Sequence, residues 1–334
     1  MAATTNPSTP AAEGTGTPPR PLAVPRRLRQ LSWSTWRGIL VRSVKGFLND
    51  NCADWAGALT YYGTLALFPS AIVIVALVGL VSNGDQTVDL VTGLAREAGA
   101  GSVLASDGFI DIVRGVVDQR SPSRVLLSFG VLAALWSASG YVGAFTRASN
   151  AIYGVEEGRP FYKLRPLQLG LTAVALVLLA VVATGLILSG PVADAVGDAL
   201  HLGNAPRTVW SIAKWPVLVA IIMLLLSLLF WIAPNVRQPR FRWLTVGGAV
   251  ALVVWALATF GFGFYVSRFA SASYDLTYGS LGAVIAFLVW LYLSNCALML
   301  GVEINAEVQR GRALQGGATD VREPVLRPRT PADS

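Results

Sequence analysis

Side chains that could do acid–base or metal chemistry are few in this sequence of 334 residues, which contains one histidine, His201, and two cysteines, Cys52 and Cys296. Hydrolytic catalysis would need either a metal ion held by clustered carboxylates and imidazoles or a positioned pair of acid and base groups. One histidine in a connecting loop supplies neither, and the two distant cysteines predict neither a zinc site nor a disulfide framework. The sequence therefore predicts no metal site, no cofactor and no enzyme activity.

Polar side chains are instead placed within or beside long apolar runs. Asn295 and Glu303 lie eight residues apart in the last run and so roughly on one side of a helix; Asp54 precedes the first run, and Arg147 and Asn150 follow the second. One hypothesis places Asn295 and Glu303 on an inward polar track, because polar groups at membrane depth face one another or a water-filled cavity. Arg147 could then pair with a carboxylate or hold an anionic head group. The alternative is structural. Asn295 would join helices by hydrogen bonds, which is the interpretation we favour for this residue. Glu303 would lie at the headgroup level, and Arg147 would only fix the orientation of its helix at the interface.

The first apolar run has a polar half that contains Tyr61 and Tyr62, and it also contains Pro69. A proline removes one helical hydrogen bond and predicts a kink. The carbonyl that such a kink exposes could bind a partner, but a bend that only improves packing is an equally good interpretation.

The elements that carry these residues are predicted to be membrane-spanning helices. The sequence is 54% hydrophobic and only 13% charged, which is too apolar for a soluble protein. No residue between Leu281 and Val302 is charged, and a helix of that length, at ~1.5 Å per residue, crosses a hydrocarbon core of roughly 30 Å. We therefore predict an all-α fold, a polytopic transmembrane helical bundle with amphipathic surface helices. The six predicted spans are 55–81, 125–145, 167–188, 216–232, 244–266 and 281–302.

Regions outside the spans predict the topology. Residues 1–34 and 311–334 are rich in Pro, Gly, Thr and Ala and are predicted to be disordered tails around a membrane domain of residues 35–310. One amphipathic helix is predicted from Thr35 to Asp50 and two more between residues 82 and 124. Positive charge accumulates on one side of the spans, which places both termini in the cytoplasm. The net charge of +7 is explained by this topology, so no nucleic acid partner is expected.

Four separated stretches resemble one family. They read DWAGALTYYGTLALFPS, WSASGYVGAFTRASNAIYGVEEGRPFYKLR, PNVRQPRFRW and YGSLGAVIAFLVWLYLSNCALMLGVEINAE. Together they are similar to the virulence factor BrkB family, also called the YihY family and formerly labelled ribonuclease BN, over residues 41–310. The resemblance implies a six-span bacterial inner-membrane protein. It assigns signature positions to Asp54, Tyr61, Tyr62, Pro69, Trp136, Asn150, Arg159, Pro160, Tyr278, Gly279, Trp290, Tyr292, Glu303 and Asn305.

The family's association with the cell envelope implies transport of an envelope component, a lipid or another solute. In that hypothesis the expected partners are membrane lipids and a lipid or small-molecule substrate, and oligomerisation is left open. The residues expected to converge on a cavity open to the cytoplasm are Asp54, Tyr61, Tyr62, Arg147, Asn150, Asn295 and Glu303. A non-catalytic scaffold for envelope processes is the alternative, and a ribonuclease is the least favoured function because the residues for it are missing.

Overall fold

The computed structural model describes residues 25, 28–79, 124–187, 205–238, 241, 244–270, 280–318 and 326–332. Nearly all of these residues are helical, which confirms the all-α class. A 3₁₀ turn, Leu28–Gln30, precedes seven α-helices, and a π-helical turn, Val266–Ala270, follows the sixth. The helices are α1 Trp33–Asn49, α2 Cys52–Gly79, α3 Arg124–Tyr153, α4 Phe161–Ile187, α5 Ala205–Ile232, α6 Val246–Tyr265 and α7 Ser280–Gln315.

Four of the described helical segments are long and apolar enough to cross a membrane. They are Phe161–Val182, Ile212–Ile232, Val246–Arg268 and Gly282–Gln315, and they overlap the last four predicted spans. The first predicted span overlaps α2 and the second falls within α3, and both of these helices lie outside the four segments. Six spans are therefore not confirmed. The two amphipathic helices predicted between residues 82 and 124, and the signature positions Tyr278 and Gly279, lie outside the described residues.

Helix α1 lies against the end of α7. The side chain of Ser32 caps α1 by accepting a hydrogen bond from the backbone N–H of Thr35. The buried face of α1 places Ile39 against Ile304 and Val308 of α7. The opposite face leaves Trp33, Leu40, Val44 and Leu48 exposed, as an amphipathic helix at a membrane surface requires.

The core lies where α2, α3, α5 and α7 meet, around Leu59, Phe145, Phe230 and Met299. Helices α6 and α7 approach each other most closely at Gly247 and Gly301. A Cβ atom on Gly247 would lie 1.9 Å from the carbonyl oxygen of Gly301, so only glycine permits this contact. Small residues serve this purpose at helix–helix contacts in membranes.

The start of α6 and the ends of α3, α5 and α7 lie at the same end of the bundle as α1, as contacts among them show. The starts of α2 and α4 lie there too, because short connections join them to the ends of α1 and α3. We call this the α1 end. Here the structure corrects the predicted C-terminal tail, because α7 continues to Gln315 and Pro328 forms an antiparallel bridge with Val236. The segment around Pro328 is held by hydrogen bonds to residues that are far away in the sequence. Its Pro-rich and Arg-rich composition does not predict these bonds.

Candidate functional site

Asn295 joins three helices in the middle of the bundle. Its side chain is 2% exposed. Its Nδ2 donates a hydrogen bond to Thr60 Oγ1 of α2 (3.1 Å), and its Oδ1 accepts one from the Tyr141 hydroxyl of α3 (2.8 Å). These bonds link α7 to α2 and α3.

Glu303 lies at the contact between α7 and α1. Its side chain is only 1% exposed. Its Oε1 lies above Gly46 of α1, and its Oε2 has no hydrogen-bond partner among the described residues.

Asp50 lies between α1 and α2, outside the spanning segments. Burial raises the pKa of the Asp50 carboxyl group above its ordinary value, and the nearby charge of Arg310 offsets this only in part. Asp50 is half-buried, whereas the carboxyl group of Glu303 is closed off from solvent.

One turn beyond Glu303, the carboxylate of Glu307 is also 1% exposed. It accepts a hydrogen bond from Arg42 Nε of α1 (2.7 Å) and another from Arg310 on its own helix. Arg42, Asp50, Glu303, Glu307 and Arg310 together form what we call the α1–α7 charged layer. Of these five, sequence reasoning found only Glu303. The four-residue spacing of Glu303 and Glu307 was the available signal, because it places both carboxylates on one face of α7.

A second group of residues lies on the surface that α2, α3 and α4 share. The guanidinium of Arg147 is 5.6 Å from the ring centre of Tyr62, and that of Arg165 is 4.2 Å from the ring centre of Trp136. Trp136 and Arg147 are exposed. We call these four residues the arginine–aromatic face.

The two arginines of this face approach one another around Gln168 of α4. Gln168 is 5% exposed and its Oε1 accepts a hydrogen bond from Arg165 Nη1 (3.3 Å). Both Gln168 and Arg147 Nη1 lie within 3.7 Å of the position that a Cβ on Gly143 would occupy. No carboxylate of the described residues pairs with either arginine. The face therefore presents two cations, each beside an aromatic ring, whose charges no described side chain neutralises.

A third group fastens the loop between α3 and α4 to the end of α5. Arg159 binds Glu157 through two hydrogen bonds, of 2.7 and 2.6 Å, and its Nη2 also donates to the carbonyl of Ala233 (2.7 Å). Asn150 donates to Glu157 (3.0 Å) and accepts from the backbone N–H of Asn235 (2.7 Å). The signature positions Asn150 and Arg159 are thus brought together, and sequence reasoning missed Glu157 and Asn235.

Glu157 lies in this loop, outside the spanning segments. Burial alone would raise the pKa of Glu157, but the hydrogen bonds and charge of Arg159, with the bond from Asn150, outweigh it and hold that pKa below its ordinary value. Glu157 is therefore the counter-ion of Arg159 at neutral pH.

The remaining candidates lie apart from these groups. Trp290 donates to Thr259 of α6 (3.1 Å), and Asn305 accepts from the backbone N–H of Gly247 at the start of α6 (2.9 Å). Both residues therefore join α7 to α6. Asp54 and Tyr61 are exposed on α2, Tyr292 is half-buried on α7, and α2 continues through Pro69. The described contacts of the seven residues expected to share one cavity thus fall into separate groups.

No three His, Cys, Asp or Glu side chains in the described part of the chain lie close enough to hold a metal ion.

Comparisons with known proteins point to one family. The family model described as virulence factor BrkB matches residues 43–324. A ribonuclease-like protein, YfkH, of Bacillus subtilis (strain 168) is 33% identical over 259 residues, which are 77% of this chain and 90% of that protein. No solved structure matches this chain.

Two proteins named UPF0761 membrane protein are also similar. That of Halorhodospira halophila (strain DSM 244 / SL1) is 26% identical over 293 residues, 84% of this chain and 59% of that protein. That of Rhodospirillum centenum (strain ATCC 51521 / SW) is 28% identical over 278 residues, 83% of this chain and 58% of that protein. The chain therefore spans less than two thirds of the length of these two relatives.

Proposed function

The chain belongs to the virulence factor BrkB family of membrane proteins, and from this premise we propose that it transports an anionic lipid or other envelope component across the bacterial plasma membrane. The family resemblance of its four motifs is confirmed by the match over residues 43–324. The term ribonuclease-like describes YfkH, and we propose no RNA cleavage for this chain.

The arginine–aromatic face is the observation that carries the proposal. Arginine side chains among membrane helices are costly unless they have a partner, and the described residues give Arg147 and Arg165 aromatic rings but no carboxylate. A guanidinium matches the geometry of a phosphate group and binds it through two parallel hydrogen bonds. Trp136 and Tyr62 add the amphipathic rings that are enriched at membrane interfaces. A phosphate-bearing headgroup would supply the anionic partner that the guanidinium groups of Arg147 and Arg165 lack among the described residues.

The proposed topology places this face next to the cytoplasmic leaflet. Arg147 lies near the end of α3 and Arg165 near the start of α4, so both are at the α1 end of the bundle. Positive charge at this end corresponds to the cytoplasmic side when the chain crosses the membrane six times with both termini inside. The anionic lipids of that leaflet attract basic side chains.

Transport assays in vesicles test this function. The full chain is reconstituted, and movement of fluorescent phosphatidylglycerol is compared with movement of fluorescent phosphatidylcholine. We expect the anionic lipid to move faster, and Arg147→Ala and Arg165→Ala each to slow it by about tenfold, because a hydrogen bond to an ionised group contributes ~1.5–3 kcal/mol. Lys163→Ala is the matched control, since Lys163 is exposed and lies over Tyr162, away from the face.

Equal movement of both lipids, or equal slowing by Lys163→Ala, would contradict an anionic headgroup site. No movement of any lipid across a broad panel would contradict transport itself.

A scaffold for envelope enzymes is the second candidate, and the interhelical bonds of Asn295 favour it. The two functions predict different results when variants of this chain are expressed in a strain that lacks the gene. Full rescue by a chain that combines Asp54→Ala, Arg147→Ala and Glu303→Ala would support the scaffold, whereas loss of rescue with normal membrane insertion would support transport.

A further inference from the structure

A short C-terminal segment, residues 327–331 (Arg-Pro-Arg-Thr-Pro), lies extended against the end of α5; we call it the strap. The backbone N–H of Arg237 donates to the carbonyl of Arg327 (2.9 Å), and that of Arg329 donates to the carbonyl of Asn235 (3.0 Å). The side chain of Asn235 pairs with the backbone of Thr330 in both directions, at 2.7 and 3.1 Å. This is how proteins bind an extended peptide through its main chain.

Arg329 gives the strap a specific side-chain anchor. Its Nε donates to the carbonyl of Val236 (2.9 Å) and its Nη2 to the carbonyl of Trp231 (2.5 Å). The guanidinium also lies 5.2 Å from the centre of the Trp231 ring. The carbonyls at the end of a helix have no partner within the helix and attract cations, so the end of α5 is suited to this arginine.

The receiving surface is also shaped for a backbone. A Cβ atom on Gly158, in the loop between α3 and α4, would lie 2.2 Å from the carbonyl oxygen of Pro331. Any larger residue would therefore exclude the strap. We call Gly158, Trp231, Asn235 and Val236 the cradle.

The cradle is formed by the α3–α4 loop and the end of α5, which are also held together by hydrogen bonds outside the cradle. Asn235 is hydrogen-bonded both to Asn150 of α3 and to the strap, and Gly158 belongs to the loop that Arg159 fastens to Ala233. A ligand in the cradle therefore contacts the α3–α4 loop and the end of α5 at the same time. The family match ends at residue 324, so the strap lies beyond the part of this chain that the family model covers.

We propose that the cradle is a peptide-binding site for extended Arg-Pro-Arg-Thr-Pro segments, and that the chain's own strap is its resident occupant. Occupancy fastens the α3–α4 loop to α5, and departure of the strap opens a site that accepts the same peptide from solution. This proposal does not depend on the transport function.

Hydrogen–deuterium exchange on the full chain tests occupancy. Amides of the strap should exchange slowly in the wild type, and at least about tenfold faster in Asn235→Ala and Arg329→Ala, because each loses hydrogen bonds that contribute ~1 kcal/mol or more. Arg327→Ala is the matched control, since it removes the same charge from an exposed residue that contributes only its carbonyl. Fast exchange in the wild type, or the same acceleration in Arg327→Ala, would overturn the proposal.

Peptide binding in trans tests the site itself. In full-length Arg329→Ala the strap is weakened while the cradle is intact, so a fluorescent peptide of residues 326–334 should bind it and should bind the wild-type chain much more weakly. The same peptide with Arg329→Ala should bind neither chain. If the wild-type peptide does not bind the Arg329→Ala chain, or binds no better than its variant, the cradle is not a peptide site.

Discussion

At the scale of single residues, Glu303 shows how one buried carboxyl group fixes the approach of two helices. Its side chain occupies the space that a Cβ would fill at Gly46, so it lies directly between α7 and α1. The sequence predicts that Glu303 is unusual, because it follows an uncharged run. Its burial is not predictable, since Gly46 and Asp50 are more than two hundred residues away in the chain.

Gly46→Ala tests this contact. The new Cβ would lie 2.0 Å from Glu303 Oε1, so α1 or Glu303 must shift. We expect a loss of ~1–3 kcal/mol in the free energy of unfolding, which is typical of overpacking, measured as a lower thermal midpoint in detergent.

Gly57→Ala is the control for this variant. Gly57 is also helical, but a Cβ there meets nothing within 4 Å, so alanine should leave the midpoint unchanged or raise it through its higher helix propensity. Equal midpoints for the two variants would contradict the close packing of Glu303 on Gly46.

At the scale of elements, the apolar runs predict helices well and their connections poorly. Segments such as Ile212–Ile232 are recognisable because length and composition alone make them candidate spans. The loop between α3 and α4 and the strap are different, because their order comes from hydrogen bonds to the end of α5 and not from local propensity. The composition of the strap predicts disorder, but its hydrogen bonds to the end of α5 hold it in an extended conformation.

Glu157→Gln tests the electrostatics of this loop. Glu157 faces Arg159 and Asn150. Arg329 of the strap lies near this pair: burial lowers the pKa of Arg329, and the positive charge of Arg159 lowers it further. The folded pKa of Glu157 is depressed, so its contribution is present above the unfolded value of ~4.3 and is lost as pH falls through the folded value. We expect the variant to lose roughly 1 kcal/mol at neutral pH, since solvent screens part of the interaction, and to match the wild type in acid.

Thermal midpoints across a pH series measure this difference. Glu156→Gln makes the same chemical change at an exposed neighbour and should follow the wild type throughout. If the gap between Glu157→Gln and the wild type widened in acid, the assigned direction of the Glu157 pKa would be wrong.

At the scale of the whole molecule, side-chain groups with different roles share one end of the bundle. The α1–α7 charged layer, the arginines of the arginine–aromatic face and the strap all lie at the α1 end, while the described middle of the bundle is joined by neutral bonds such as those of Asn295. A membrane accounts for this separation, because charged groups at its hydrocarbon depth are costly and basic residues favour the cytoplasmic side. The sequence predicts the side on which charge accumulates, but it does not predict which charges are buried.

Cysteine labelling in whole cells tests the topology that this separation implies. In a chain with Cys52→Ser and Cys296→Ser, a single cysteine introduced by Lys163→Cys or Arg237→Cys should react with a membrane-impermeant maleimide only after the cells are opened, because both positions are exposed at the α1 end. Asp194→Cys, between the third and fourth predicted spans, should react in intact cells. Six crossings require these opposite results, since Lys163 and Asp194 flank one span and Asp194 and Arg237 flank the next. Labelling of all three positions from the same side would remove both the proposed topology and the cytoplasmic headgroup site that depends on it.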